Sequence, residues 1–289
     1  MYFSALRAKD LILWAIGVSV VFMGLGVGLG RLVERAGMDP QNASAENAFE
    51  LSVVKDKDEA ASRDDFSLEV LSVSASRRTK YSIYIYHTHT CEAYEPTKEN
   101  PYKSTQQWRT ADKAHNVVRV GDELTTLLVS AGFSVFHDRT AYELPNLSTA
   151  YARSLSALET TVLSGVPYDL YIDLHRDSYS AGNGANTVTV GTAQGARLMF
   201  LIGQGTGSAL DEKPDWESNL RIANALKAHI NAAYDGLCRD TKLKAGRYNQ
   251  HIAPACVLLE VGNNKNTLEE ALVSMPPLAN AVCAYFDSL

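Results

Sequence analysis

The run Tyr81-Ser82-Ile83-Tyr84-Ile85-Tyr86 is apolar and alternating, which predicts a buried strand. Short apolar runs of the same kind return at 133–137, 170–174, 197–203 and 257–262. Between them the period becomes helical. Across 114–131, Val117, Val120, Leu124, Leu127 and Leu128 fall on one stripe, and Gly132 is placed to end the helix. Further helices are predicted over 146–163, with Asn146 as cap, and over 216–234. Another opens at Thr267, where Glu270 three residues on completes a capping box, and a last one follows Pro276-Pro277 through Phe286. The polar stretch 95–110 reads as a surface loop and 178–196 as a turn or hairpin connection. Strand alternating with helix predicts an α/β fold, a three-layer α-β-α arrangement around a mostly parallel central sheet, parallel throughout or mixed.

The pattern before residue 76 is different. Residues 11–30 are a run of 20 uncharged, mostly apolar residues between Asp10 and Arg31. At 1.5 Å per residue that crosses a hydrocarbon core of about 30 Å. A cleaved signal has a shorter apolar region, about 7–15 residues, and Val33-Glu34-Arg35-Ala36 is a poor cleavage site. The expectation is an uncleaved transmembrane anchor. Arg7 and Lys9 precede the span and Arg31 and Arg35 follow it, so with the amino group the N-terminal side is slightly the more basic. That places 1–10 in the cytoplasm and the rest outside it, as a single-pass cell-membrane protein. Residues 31–75 are expected to be an acidic, mobile linker. Within it, 36–75 holds nine Asp or Glu against three Lys or Arg, a net −6 equal to that of the whole chain. Residues 76–289 are therefore near neutral, are long enough for one domain with a sizeable core, and give no reason to expect nucleic acid.

Chemistry gathers where the apolar runs stop. His87, His89 and Glu92 follow the first, His175-Arg176-Asp177 the third, and Glu260 closes the run before Gly262. His89 and Glu92 have the His-x-x-Glu spacing that lets one turn offer a nitrogen and an oxygen to a single ion, and open α/β sheets bind ligands at this edge. A catalytic zinc takes three protein ligands and leaves a position for water. The reading is Zn2+ on His89, Glu92 and His175, with Glu260 as the carboxylate that takes a proton from water and passes it to a leaving amine. The alternatives stay open. His87 is a ligand, a partner behind the ligands or a substrate contact, on the side of His89 if the strand continues. His175 alone would be a core histidine, and Glu260 would pair with Arg176 or Arg247. Asp173 or Asp177 would orient an imidazole, and Arg176 would meet an oxyanion, a substrate carboxylate or an ion-pair partner. His251 reaches the site from a polar loop as proton donor or substrate contact. Trp108 and Tyr94 would line a glycan groove, while His115, His137 and His229 read as surface residues. Cys91, Cys238, Cys256 and Cys283 form no Cys-x-x-Cys pair, and Cys256 and Cys283 read as buried thiols.

Taken together these motifs resemble the stage II sporulation protein P family of endospore-forming bacteria. The matching pieces are Ile85-Tyr86-His87-Thr88-His89-Thr90 with Glu92, Asn116-Val117-Val118-Arg119-Val120-Gly121, Asp173-Leu174-His175-Arg176-Asp177, Tyr248-Asn249-Gln250, and Leu259-Glu260-Val261-Gly262 with Asn266-Thr267-Leu268-Glu269-Glu270-Ala271. The resemblance implies a zinc-dependent N-acetylmuramoyl-L-alanine amidase with the α/β fold related to zinc exopeptidases. It implies a peptidoglycan substrate, action during engulfment beside sporulation stage II proteins D and M, and metal ligands at His89, Glu92 and His175 with Glu260 catalytic. Glu92 competes here with Asp112 and Glu123, near the 114–131 helix. Two rival functions share the frame: a zinc carboxypeptidase acting on peptides, and a wall-binding scaffold without turnover.

Overall fold

The computed structural model describes residues 78–183, 186–206 and 212–289. The expected anchor at 11–30 and the acidic linker lie outside the described residues. Among the described residues no helix is long and apolar enough to cross a membrane.

Among the described residues eight strands and five α-helices follow one another: β1 Ser82–Tyr86, α1 Val117–Ser130, β2 Ser134–His137, α2 Ala150–Leu163, β3 Leu170–Asp177, β4 Thr187–Val190, β5 Ala193–Ala196, β6 Leu198–Gly203, α3 Trp216–Ala233, β7 Lys242–Lys244, β8 Cys256–Asn263, α4 Leu268–Val273 and α5 Met275–Asp287. Six strands form one sheet in the order β2-β1-β3-β8-β6-β7. β2, β1, β3 and β8 run parallel; β6 lies antiparallel to β8, with β7 parallel to β6. The sheet is therefore mixed, and β4 with β5 makes the separate hairpin expected in 178–196. β7, with the sequence Lys-Leu-Lys, carries no apolar alternation and was not foreseen.

Period-two alternation divides the sheet into two faces. Ile83, Ile85, Leu170, Ile172, Leu174, Val257, Leu259 and Val261 point to one core, closed by α1, α3, α4 and α5. Tyr84, Tyr86, Tyr171 and Cys256 point the other way and pack with Leu158 of α2 and with Ile252 and Ala253. The result is three layers, helices on both sides of the sheet, as the alternation predicted.

Local signals set the helix ends. The Asn116 side chain accepts from Val118 N at 2.9 Å and starts α1 at Val117, the first residue of the apolar stripe and three residues after the predicted start at 114. Gly132, at φ 97°, takes the left-handed position after α1. Thr267 and Glu270 exchange the two bonds of the capping box, at 3.2 and 3.1 Å.

Candidate active site

On the less apolar face of the sheet, neighbouring strands bring polar residues into one rung. His175 of β3 is the register partner of Glu260 of β8, and Asp173 stands between Tyr86 and Leu258. The apolar runs stop at Leu174 and Leu259, but parallel pairing continues through His175 and Glu260. Both residues thus lie inside strands, where His175 was expected just beyond a strand end and Glu260 at one. The β1 chain, in contrast, leaves the sheet at Tyr86 and turns, with Glu92 N donating to His89 O at 3.1 Å.

That turn delivers two side chains to His175. Glu92 Oε2 lies 3.4 Å from His175 Nδ1, and the His89 ring meets the His175 ring edge-on with centres 5.3 Å apart. Glu92 Oε2 also accepts from Arg176 N at 3.2 Å. On its other side His175 Nε2 is 2.8 Å from Asp173 Oδ1, within ion-pair range though without hydrogen-bond geometry. Asp173 is fully buried and accepts from Thr88 N at 2.8 Å and Thr88 Oγ1 at 2.7 Å, which ties the turn to β3.

Charge on this face is strongly organised. Burial opposes ionisation of Glu92, but His175, Arg176 and His89 outweigh it and hold the carboxyl at about 2. Burial likewise opposes charge on His175, yet Asp173 and Glu92 raise it well above the usual imidazole range. His89 is lowered, by burial first and by the neighbouring His175 second. Glu260 goes the other way: burial pushes it up to about 8, with His175 pulling against that. Its Oε2 is buried without a hydrogen-bond partner, as is His89 Nδ1.

The donor set suits zinc. Among the described residues no three His, Cys, Asp or Glu side chains already converge at metal-holding distances. The frame nevertheless has the right scale. Bonds of about 2.0–2.2 Å at tetrahedral angles put two ligand atoms about 3.4 Å apart and two imidazole centres about 5 Å apart. His175 Nδ1 and Glu92 Oε2 are 3.4 Å apart and the two rings 5.3 Å. The unpartnered, buried His89 Nδ1 would be the remaining donor.

Other expected residues go elsewhere. His87 is fully buried but faces α1: its Nδ1 is 2.8 Å from Leu174 O and its Nε2 2.8 Å from His137 Nε2. The strand does not continue past Tyr86, so His87 keeps the face of Ile83 and Ile85 while His89, after the turn, does not. His137 was expected at the surface; its side chain is 6% exposed, and its Nδ1 lies 3.1 Å from Asp122. Gly121 leaves room for this pair, since a Cβ there would stand 2.6 Å from His137 Nε2 and 2.7 Å from His87 Nε2. Asp177 is bound by Arg239 at 2.7 Å. The Arg176 guanidinium is held by Ala93 O and Trp108 O, at 3.0 and 3.1 Å, and stands 3.9 Å from Glu92 Oε1. His251 belongs to a separate groove beside the second half of α2. Tyr94 is buried, donating to Val261 O at 3.1 Å, and so lines no groove, while Trp108 is half-buried and its indole donates to Glu95 at 2.8 Å. All four cysteines are free; Cys256 is buried and Cys283 half-buried.

Two residues beside the site carried no sequence signal. Glu143, from the loop after β2, clasps Arg109 and accepts from Cys91 N at 3.3 Å, with its Oε2 4.0 Å from His89 Nδ1. Tyr151 of α2 meets the His89 ring edge-on at 5.4 Å. Each lies far from the His-x-x-Glu turn in sequence.

Fold and site define a class: a three-layer α/β domain with a histidine–carboxylate centre on one face of its sheet. The chain belongs to the stage II sporulation protein P family, whose model matches residues 32–283. It is 27% identical over 221 residues to Stage II sporulation protein P of Bacillus subtilis (strain 168), a match covering 73% of this chain and 51% of that protein. The chain thus spans about half the length of that curated relative. Among solved structures it is similar to the CwlD amidase from Clostridioides difficile in complex with the GerS lipoprotein, with TM-score 0.44, 12% identity, and 72% and 98% of the two chains covered. It is also similar to N-acetylmuramoyl-L-alanine amidase AmiC2 of Nostoc punctiforme, with TM-score 0.43, 12% identity and the same coverage.

Proposed function

We propose that this protein is a peptidoglycan hydrolase, a zinc-dependent N-acetylmuramoyl-L-alanine amidase that cuts between muramic acid and the first alanine of the stem peptide. The observation that carries the reading is the grouping of His89, Glu92 and His175 beside an unpartnered Glu260. The two histidines and Glu92 would hold the ion. What zinc supplies when bound is Lewis acidity, which polarises a carbonyl and lowers the pKa of water toward about 7.

The chain's own groups do the rest. Asp173 faces the His175 nitrogen turned away from Glu92 and fixes which nitrogen is offered to the site. Arg176 N and the Thr88–Asp173 bonds hold the ligand-bearing turn. Glu260, pushed up to about 8, is a carboxyl that both takes and gives a proton near neutral pH, as cleavage with a leaving amine requires. A carboxypeptidase needs a cation for a terminal carboxylate. Arg176 is already committed to two carbonyls and Arg109 to Glu143, which favours the amidase over that rival.

The biological setting is part of the same proposal. The domain is held outside the cytoplasm by the 11–30 anchor and thins septal wall during engulfment, with sporulation stage II proteins D and M as partners.

The test uses the full chain on purified wall sacculi, with products resolved by mass. Stem peptides beginning with L-alanine are expected, and release of only single C-terminal amino acids would sink the amidase reading. Glu260→Gln should keep its metal while hydrolysis falls about 10²–10⁴-fold. Cleavage at the parental rate would refute the role of Glu260, and a parental chain without zinc or turnover would favour the scaffold.

A further inference from the structure

A second concave site lies on the same side of the sheet. The loop before β8 runs along α2: Tyr248 meets Tyr151 with ring centres 5.9 Å apart, Asn249 donates to Tyr151 O and Ser154 Oγ, and Ile252 joins Leu158 in the small core. Past that point it opens a groove of about 590 Å³, lined by Glu159, Val162 and Leu163 of α2, by Glu212 and Lys213, and by His251 and Ile252.

Three properties mark it as a ligand site. Val162 and Leu163 are 41% and 86% exposed, apolar surface that the fold leaves uncovered. Glu159 and Glu212 place carboxylates beside that surface, and Lys213 adds one ammonium. The His251 side chain is only 2% exposed, yet its Nδ1 has no partner and its Nε2 is 3.9 Å from Glu212. Buried polar atoms are normally satisfied, so an orphan lining a groove asks for one.

We infer that this groove is a distal substrate subsite that takes an aliphatic side chain ending in an amine beside a carboxylate, the terminus of a diamino acid in the stem peptide. The methylenes would lie on Val162, Leu163 and Ile252, the amine between Glu159 and Glu212, and the carboxylate at Lys213. Position agrees. Tyr151 borders the His89 site, and Glu159 is eight residues further along α2, about 12 Å at 1.5 Å per residue. An extended peptide gains about 3.3–3.6 Å per residue, so the third residue from the scissile amide, with its long side chain, reaches the groove. The inference rests on the amidase reading for the identity of that peptide.

The experiment compares two muramoyl tripeptides, one with meso-diaminopimelate as third residue and one with its side-chain amine acetylated. The full chain and a Glu159→Gln/Glu212→Gln variant are assayed on both. Exposed ion pairs contribute little each, so the variant's KM for the free-amine substrate should rise roughly three- to tenfold. kcat should hold, and so should all constants on the acetylated substrate, which also shows that the variant is folded. An equal change on both substrates, or none on either, overturns the subsite. If the parent cuts neither, the amidase reading has failed. Calorimetric binding of the same two peptides then decides the groove separately: preference for the free amine, lost in the variant, supports it, and equal binding overturns it.

Discussion

On the face that α1 and α5 cover, Ile83, Ile85, Ile172, Leu174, Leu259 and Val261 meet mostly hydrocarbon. One residue over on the same strands, Asp173, His175 and Glu260 stand side by side with water largely excluded, and among the described residues α2 is the only helix in their layer. The backbone is shared, so the difference lies in what each side chain demands. The apolar face is satisfied by contact, apart from the His87–His137 pair at its edge. The other face is satisfied in part: Asp173 has its donors, while His89 Nδ1 and Glu260 Oε2 do not. Incomplete satisfaction marks the face that works on something outside itself.

Separate damage to the two faces should produce separate symptoms. Leu124→Ala, on the apolar side, should cost about 2–5 kcal/mol in denaturant unfolding and leave turnover per folded molecule unchanged. A large fall in kcat would show that the faces are not independent. Glu260→Gln should do the reverse and raise stability. The folded-state pKa of Glu260 is raised to about 8, so its proton favours the folded chain. That contribution is complete below the ordinary carboxyl value near 4.5 and is lost as pH climbs toward 8. The glutamine variant, in chelator, should thus gain on the parent between those limits, by on the order of 2–4 kcal/mol. A constant difference across that range would mean that Glu260 is not held protonated by burial. Asp173→Asn is the mildest cut, since the side chain keeps its size. It should weaken zinc binding about 10–100-fold in competition titrations, and unchanged affinity would mean that Asp173 serves only Thr88.

Legibility in the sequence follows the same division. The apolar face was readable because contact needs only periodicity: Val117, Val120, Leu124 and Leu128 gave α1, and Ile83 with Ile85 gave the orientation of β1. Of the candidate site, His89, Glu92, His175 and Glu260 were readable because polar residues interrupt or close apolar runs. Continuing the β1 alternation one step too far misplaced His87, since no local signal announced the turn after Tyr86. Glu143 and Asp122 were invisible for another reason. Each acts on a residue distant in sequence, at His89 and His137, and only the packing of loop and helix against strand brings them near.

The pairing of His175 with Glu260 also limits how this chain can drift. Because the two share a rung between β3 and β8, inserting or deleting a single residue ahead of either position in its strand would turn that residue toward Leu259 and the apolar core. Compensation by a neighbouring substitution is hard, because every following residue reverses too. Length variation among relatives should therefore gather in the connections, such as the 95–110 loop and the stretch before β8, and leave these two strands at fixed length while their sequences diverge.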